Sequence, residues 1–172
     1  GHSTDYQTKY KLRELVEDGV GILKVGPGLT YAAREGIFSL CMIEEELAAV
    51  YGFETSHFRE ELDKAMLANP GKWAPYYHGT ENEIAFKRKY SFSDRCRYYL
   101  PQENVKNALA KLLTNLKEHP VPLPLLSQYM PFQYTMVREG KLNNTPEDLI
   151  KARVMYTIEE YTYASHQEEL VR

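Results

Sequence analysis

The stretch GILKVGPGLTYAAREG, residues 21–36, decides the fold that the sequence predicts. A short apolar run ends at Lys24, a Gly-Pro-Gly turn occupies residues 26–28, and a long helix is expected from Thr30. A strand, a glycine turn and a helix in this order form one βα unit, and ligands of α/β proteins commonly bind at that junction. A lysine beside free amide groups at a helix start would suit a phosphate or another oxyanion.

Further elements are predicted on both sides of this unit. Residues 21–25 are expected to form its strand, and the alternation in YSFSDRCRYY predicts another at residues 90–99. Amphipathic spacing and capping residues predict helices over residues 7–18, 30–50, 57–67, 83–89, 102–117, 125–139 with a break at Pro131, and 146–164 after a Thr145 cap. Two or three βα units followed by helices indicate an α/β fold with parallel strands.

Composition and charge argue against several classes of function. The chain has 172 residues and a net charge of -3, so its basic residues favour neither nucleic acid nor an anionic membrane surface. No apolar run approaches the roughly 18 residues of a membrane span. Cys41 and Cys96 are far apart in apolar settings, a pattern typical of reduced thiols in a cytoplasmic protein.

Two interpretations of the turn at Gly26, Pro27 and Gly28 stay open from the residues alone. In the first, the backbone approaches a ligand phosphate closely, with Lys24 as the counter-charge and Thr30 as the helix cap. In the second, the tight turn merely needs the torsion angles that glycine allows. The turn matches neither the Walker loop nor the dinucleotide-binding glycine motif.

The polar segment HSTDYQT, residues 2–8, is expected to form a loop facing a cleft. His2 could ligate a metal, and Asp5 could act as a general base or hold a substrate hydroxyl, with Ser3 as a further binding group. The alternative is that Thr4 or Asp5 caps the following helix while His2 is exposed.

Arg95 and Arg97 would lie on one face of the predicted strand at residues 90–99. Their guanidinium groups would then be about 6–7 Å apart and could clamp a phosphate. The alternative is an internal ion pair, for example with Asp94 or Asp5.

Four motifs in the same order resemble the accessory, non-catalytic subunit of class II D-tagatose-1,6-bisphosphate aldolase, a family also labelled tagatose-6-phosphate kinase. The motifs are HSTDYQT, ILKVGPGLTYAAREGIFSL, SFSDRCRYYLP and PLPLLSQYMPFQY, and the resemblance extends from residue 1 to about residue 164. It implies the C-terminal portion of a (β/α)8 TIM-type barrel, about three βα units with extra C-terminal helices, from a longer protein. Residues 1–119 would carry the βα units, and residues 120–172 a proline-rich link and helices packed on the same domain.

The resemblance also implies a role in the cytoplasm. The chain would support the activity and stability of a catalytic aldolase subunit in galactitol, tagatose or N-acetylgalactosamine catabolism, within a homo- or hetero-oligomer. A sugar-phosphate-like pocket at the barrel mouth would involve Ser3, Lys24, Gly26, Gly28, Arg95 and Arg97. No cofactor is expected, although zinc on His2 is the one metal option, and the candidates for a catalytic role are His2, Asp5 and Lys24.

Two other functions are open at this stage. The chain could be an enzyme in its own right, either a metal-dependent sugar-bisphosphate aldolase or the tagatose-6-phosphate kinase of the older label. A class II aldolase needs about three protein ligands for its metal, and this sequence offers His2 alone. Alternatively, the chain could be a partial barrel with a purely structural role, pairing with itself to cover exposed strand edges.

Overall fold

The computed structural model describes residues 1–167, and within them every regular element is a helix. The α-helices are α1 (Lys9–Glu17), α2 (Gly28–Tyr51), α3 (Phe58–Ala68), α4 (Glu81–Tyr90), α5 (Glu103–Glu118), α6 (Leu123–Tyr129), α7 (Pro131–Arg138) and α8 (Pro146–Ala164). Two 3₁₀ turns, at Pro70–Lys72 and Arg95–Tyr98, join the helices around α4.

The predicted α/β fold, a portion of a TIM-type barrel, is therefore wrong for residues 1–167, which contain no strand. Residues 21–25 show why. The amino group of Gly1 donates to the Ile22 carbonyl at 2.6 Å, and the Lys24 N–H donates to the Gly1 carbonyl at 3.0 Å. An apolar run becomes a strand only when a neighbouring strand offers a continuous ladder of hydrogen bonds, and here the described chain offers the backbone of a single residue.

The predicted strand at residues 90–99 is also wrong. Tyr90 closes α4, Asp94 adopts a left-handed backbone with φ of 47°, and a 3₁₀ turn follows. Asp94, Cys96 and Tyr99 are buried here, and the Arg97 N–H donates to the Asp94 carbonyl at 3.2 Å and the Tyr99 N–H to the Cys96 carbonyl at 2.9 Å. Hydrogen bonds between residues three apart are those of a 3₁₀ turn. The alternation in the sequence therefore does not indicate a strand, because the backbone of these residues bonds within turns rather than to a neighbouring strand.

The helix predictions are confirmed, with local signals setting their ends. The Thr8 hydroxyl accepts a hydrogen bond from the Lys11 N–H at the start of α1. Thr145 does the same for the Asp148 N–H at the start of α8. The break expected at Pro131 separates α6 from α7. The described residues contain no helix long and apolar enough to cross a membrane.

The core is built around α2, which contacts α3, α5, α6 and α8. Its fully buried side chains come from helices throughout the described chain, including Leu40, Ile43, Leu112, Leu116, Leu126 and Leu149. A Cβ on Gly36 of α2 would lie 3.3 Å from the Ile150 Cα of α8, so glycine allows these two helices to approach closely. Helices on both sides of residue 119 share this core, while the domain boundary itself stays a prediction.

Trp73, the one tryptophan of the sequence, closes the space between α3 and α4. Its indole N–H donates to the Met66 carbonyl at 2.7 Å. The Arg88 guanidinium lies 5.3 Å from its ring centroid and forms two hydrogen bonds with Asp63, at 2.6 and 2.9 Å. This buried contact connects the 3₁₀ turn at Pro70–Lys72 to both neighbouring helices.

Candidate functional site

The start of α2 is held by a carboxylate from far away in the sequence. The Gly26 N–H donates to both oxygens of Asp5, at 3.0 and 2.9 Å, and the Gly28 N–H donates to Asp5 Oδ1 at 2.7 Å. A helix N-terminus carries free N–H groups and a partial positive charge. The Asp5 carboxylate accepts hydrogen bonds from these N–H groups, and its negative charge interacts favourably with the helix dipole. The amides that the sequence assigned to a phosphate are thus occupied by an anion of the chain itself.

Space, rather than backbone torsion, explains the two glycines of this turn. Neither Gly26 nor Gly28 has a positive φ. A Cβ on Gly26 would lie 2.8 Å from Asp5 Oδ2, and a Cβ on Gly28 would lie 2.8 Å from Asp5 Oδ1. The close approach predicted for a phosphate is therefore realised by the Asp5 carboxylate.

Thr4 fixes the polar segment against the rest of the molecule. Its buried hydroxyl donates to the Lys24 carbonyl at 2.9 Å and lies 3.2 Å from the Tyr161 hydroxyl of α8. The interpretation in which Thr4 or Asp5 caps the next helix is wrong, since Thr8 caps α1 and Asp5 caps α2. Residues 4 and 5 instead connect three parts of the fold.

The other candidates from this region face solvent. His2, Ser3 and Lys24 are exposed, and within residues 1–167 their side chains form no hydrogen bond or ion pair. No group of three potential ligands comes together anywhere in the described chain. His2 without companions does not fit a metal-binding site built from these residues.

A buried ion pair lies beneath the start of α2, and the sequence did not indicate it. Asp94 accepts hydrogen bonds from Thr30 Oγ1 at 2.6 Å, Arg34 Nε at 3.3 Å and Cys96 Sγ at 3.2 Å. The Arg34 and Asp94 side chains are 3% and 0% exposed. Asp94 thus fastens the 3₁₀ turn to the first turns of α2, while Thr30 bonds Asp94 instead of capping its own helix.

Arg34 could have been noticed from its position. It stands four residues after Thr30 in the apolar run YAAREGIF, on the face that α2 buries. Its guanidinium lies 4.1 Å from the Tyr31 ring centroid and 4.9 Å from that of Phe38. A charged residue on the buried face of a helix signals a buried partner, because isolated charges are rarely buried.

Three aromatic rings cover this region. Tyr6 lies 4.4 Å from Phe92 and 5.6 Å from Tyr31 between centroids, and its hydroxyl donates to the Phe92 carbonyl at 2.6 Å. Burial raises the pKa of Tyr6 above its usual value, and the negative charges of Asp94 and Asp5 raise it further. The Tyr6 hydroxyl therefore stays protonated at neutral pH and acts as a hydrogen-bond donor rather than a base.

Two open spaces adjoin this site. A cleft of about 110 Å³ lies between α2 and α8, with Tyr6, Gly28, Tyr31 and Arg153 in its wall. A larger groove of about 530 Å³ runs between α1, the residues after it and α8. Its aliphatic lining residues are Val16, Val20, Leu23, Val25 and Ile158. The small cleft reaches the helix start, whereas the larger groove is mostly apolar.

Arg95 and Arg97 do not form the predicted pair on a strand face. The Arg95 guanidinium lies 3.3 Å from the Tyr76 ring centroid. Arg97 Nη1 donates to the backbone carbonyls of Ser93 and Asp94, at 2.5 and 2.9 Å. The alternative of an ion pair is also wrong for them in the described residues, since the Asp94 carboxylate binds Arg34 instead.

Comparisons with known proteins confirm the resemblance that the motifs suggested. The family model for D-tagatose-1,6-bisphosphate aldolase subunit GatZ/KbaZ-like proteins matches residues 1–166. The chain is also similar to a solved structure, the crystal structure of a probable tagatose 6 phosphate kinase from Sinorhizobium meliloti 1021. The two chains are 39% identical with a TM-score of 0.87, and the match covers 94% of this chain and 41% of the other.

Proposed function

The chain belongs to the D-tagatose-1,6-bisphosphate aldolase subunit GatZ/KbaZ-like family, and we propose that it acts as an accessory subunit of a class II tagatose-bisphosphate aldolase. It would bind a separate catalytic subunit and support that subunit's activity and stability. The pathway would be the cytoplasmic catabolism of galactitol, tagatose or N-acetylgalactosamine. Cys41 and Cys96 are buried thiols that form no disulfide with each other, which supports a reducing compartment.

The observation that carries the accessory role is the structural use of Asp5 and Tyr6 in the polar segment at residues 2–8. A catalytic group must reach substrate with a free proton or lone pair. Asp5 instead accepts three hydrogen bonds from Gly26 and Gly28, and the Tyr6 hydroxyl donates to the Phe92 carbonyl. These groups hold the fold together, which favours an assisting role over catalysis.

A direct test is reconstitution with the catalytic aldolase subunit. We expect the two proteins to co-purify, and the complex to cleave tagatose 1,6-bisphosphate faster and to lose activity at a higher temperature than the catalytic subunit alone. The proposal fails if the chain neither binds nor changes activity or thermal stability. Aldol cleavage, or ATP-dependent phosphorylation of tagatose 6-phosphate, by the chain alone would support an independent enzyme instead. Metal analysis of the purified protein tests the metal-dependent form of that alternative. Stoichiometric zinc that is lost in His2→Ala would support it.

We also propose that a sugar phosphate can bind near Lys24 and the start of α2. The amides of Gly26 and Gly28 would receive the phosphate only after Asp5 moves away, because two anions would compete for the same donors. The expected result is a larger rise in melting temperature with tagatose 6-phosphate for Asp5→Asn than for the wild type. No rise for either protein at millimolar ligand would exclude the pocket.

A further inference from the structure

Three cations converge on one exposed ring at the two 3₁₀ turns. Arg97 lies 4.4 Å from the Tyr98 ring centroid, and Lys72 and Arg95 each lie 5.9 Å from it. Arg95 also stacks on Tyr76 at 3.3 Å. Tyr98 is 45% exposed and Tyr76 is 56% exposed. We call these five residues the cationic patch.

The charge of the cationic patch is not balanced inside the described chain. Within residues 1–167, no carboxylate lies within ion-pair distance of Lys72, Arg95 or Arg97, and the nearby Asp94 carboxylate is buried against Arg34. Several exposed lysines elsewhere pair with glutamates, for example Lys11, Lys64 and Lys106, whereas Lys24, like Lys72, does not pair with one in the described part of the chain. Three like charges around one ring repel one another, so an external anionic partner would relieve this repulsion.

The backbone already holds the patch in place. Arg97 is fixed by the carbonyls of Ser93 and Asp94, and its Nη2 donates to the Tyr98 hydroxyl at 2.8 Å. Arg95 Nη1 points to the Lys72 carbonyl at 3.5 Å. Side chains that are ordered before binding lose little conformational entropy when a partner arrives.

We propose that the cationic patch docks a carboxylate-rich surface of the catalytic aldolase subunit. Tyrosine and arginine dominate the energetic centres of protein interfaces, and the patch presents two of each beside Lys72. It lies on the outside of two turns, and its rings offer flat apolar area, as a protein partner needs. The net charge of -3 makes nucleic acid a poor partner. This inference rests on the accessory role proposed above.

The test measures binding of the purified chain to the catalytic subunit, by biolayer interferometry at 50 and 300 mM NaCl. Lys72→Glu reverses an exposed charge, and Tyr76→Ala removes an exposed ring without changing charge. The matched control is Lys151→Glu on α8, whose side chain is 74% exposed and remote in sequence from the patch. Circular dichroism melts of all variants check that each one folds.

We expect Lys72→Glu to weaken binding at least tenfold at 50 mM NaCl, mainly through slower association, with a smaller difference at 300 mM. Tyr76→Ala should weaken binding severalfold at both salt concentrations, and Lys151→Glu should stay within twofold of the wild type. Wild-type binding that neither patch variant changes would overturn the patch and leave the accessory role standing. A wild-type chain that does not bind at all would overturn both. If Lys72→Glu instead dissociates a homo-oligomer in sedimentation and leaves subunit binding intact, the partner assignment is wrong.

Discussion

The N-termini of α2 and α8 are stabilised in opposite ways. At α8, the Thr145 hydroxyl accepts from the Asp148 N–H, Pro146 begins the helix, and Glu147 and Asp148 stand in its first turn. At α2, the first turn has no acidic residue and no capping side chain of its own, and Asp5 supplies the anion from 23 residues upstream.

This contrast shows two solutions to one electrostatic requirement. Each helix start needs hydrogen-bond acceptors and favours negative charge. The α8 start meets that need locally, and would do so in any context that allowed the helix. The α2 start meets it only after residues 1–5 have folded back, so its cap depends on the tertiary structure.

The largest expected effect on stability comes from breaking the buried ion pair beneath the start of α2. Arg34→Met should lower the free energy of unfolding by about 3–5 kcal/mol, because it leaves the Asp94 carboxylate buried without its charged partner. Urea denaturation followed by circular dichroism measures the loss. Arg153→Met breaks a partly exposed pair with Glu35 and serves as the control, with an expected cost below about 1 kcal/mol. Equal costs for the two variants would contradict a special role for the buried pair.

Next in size is the loss of the long-range cap. Asp5→Ala should cost about 1–2 kcal/mol, and Gly28→Ala should cost a similar amount because its Cβ would push Asp5 off the helix. In the Asp5→Ala background, Gly28→Ala should be neutral or stabilise by up to about 1 kcal/mol, as alanine favours helix. A double-mutant cycle by urea denaturation decides this. Strictly additive costs would show that Gly28 is needed for a reason other than Asp5.

The local cap should give a smaller and independent effect. Thr145→Ala is expected to cost about 1 kcal/mol, and Thr145→Ser should retain most of the stability since its hydroxyl can still accept from the Asp148 N–H. Combined with Asp5→Ala, the cost should simply add, because the two helix starts use different partners. Strong coupling in thermal melts would mean that the α8 cap is less local than it looks.

The smallest effect is a pH dependence at α8. Lys117, paired with Glu147, lowers the pKa of that carboxyl below its usual range. A carboxyl with a lower pKa in the folded state stabilises the fold above its unfolded pKa of about 4.3, and loses that contribution as the pH falls through the folded value. The gap in melting temperature between wild type and Glu147→Gln should therefore shrink from pH 6 to pH 3. The pair is partly exposed, so its contribution stays below about 1 kcal/mol. If the difference in melting temperature instead grows as the pH falls, the Glu147 carboxylate does not stabilise the fold through Lys117.

The same contrast explains which structural features could be predicted from the sequence. The α8 start, the break at Pro131 and the amphipathic helices depend on neighbours within a few residues, so their signals are continuous in the sequence. The strand predicted at residues 21–25 depended on a partner ladder that the described chain does not supply. At residues 90–99 the alternation resembled that of a strand, but the backbone there forms turns whose hydrogen bonds join residues three apart.

In the candidate site, too, contacts between distant residues could not be predicted from the sequence. The sequence singled out Asp5 as a catalytic candidate and the glycine turn as a possible phosphate site, and both roles stay predictions. The structure shows a contact between the two instead. The sequence could not show this contact, because nothing in either segment specifies the other as its partner. The pair of Arg34 and Asp94, 60 residues apart, was missed for the same reason.

Trp73 makes the protein its own optical probe. A single indole, buried and hydrogen-bonded between α3 and α4, gives one emitting environment, and the fourteen tyrosines can pass excitation energy to it. Its emission should shift to longer wavelength when water enters that junction, even while the ellipticity of the helices is unchanged. Fluorescence and circular dichroism recorded together would then tell local opening beside the cationic patch from loss of the whole fold.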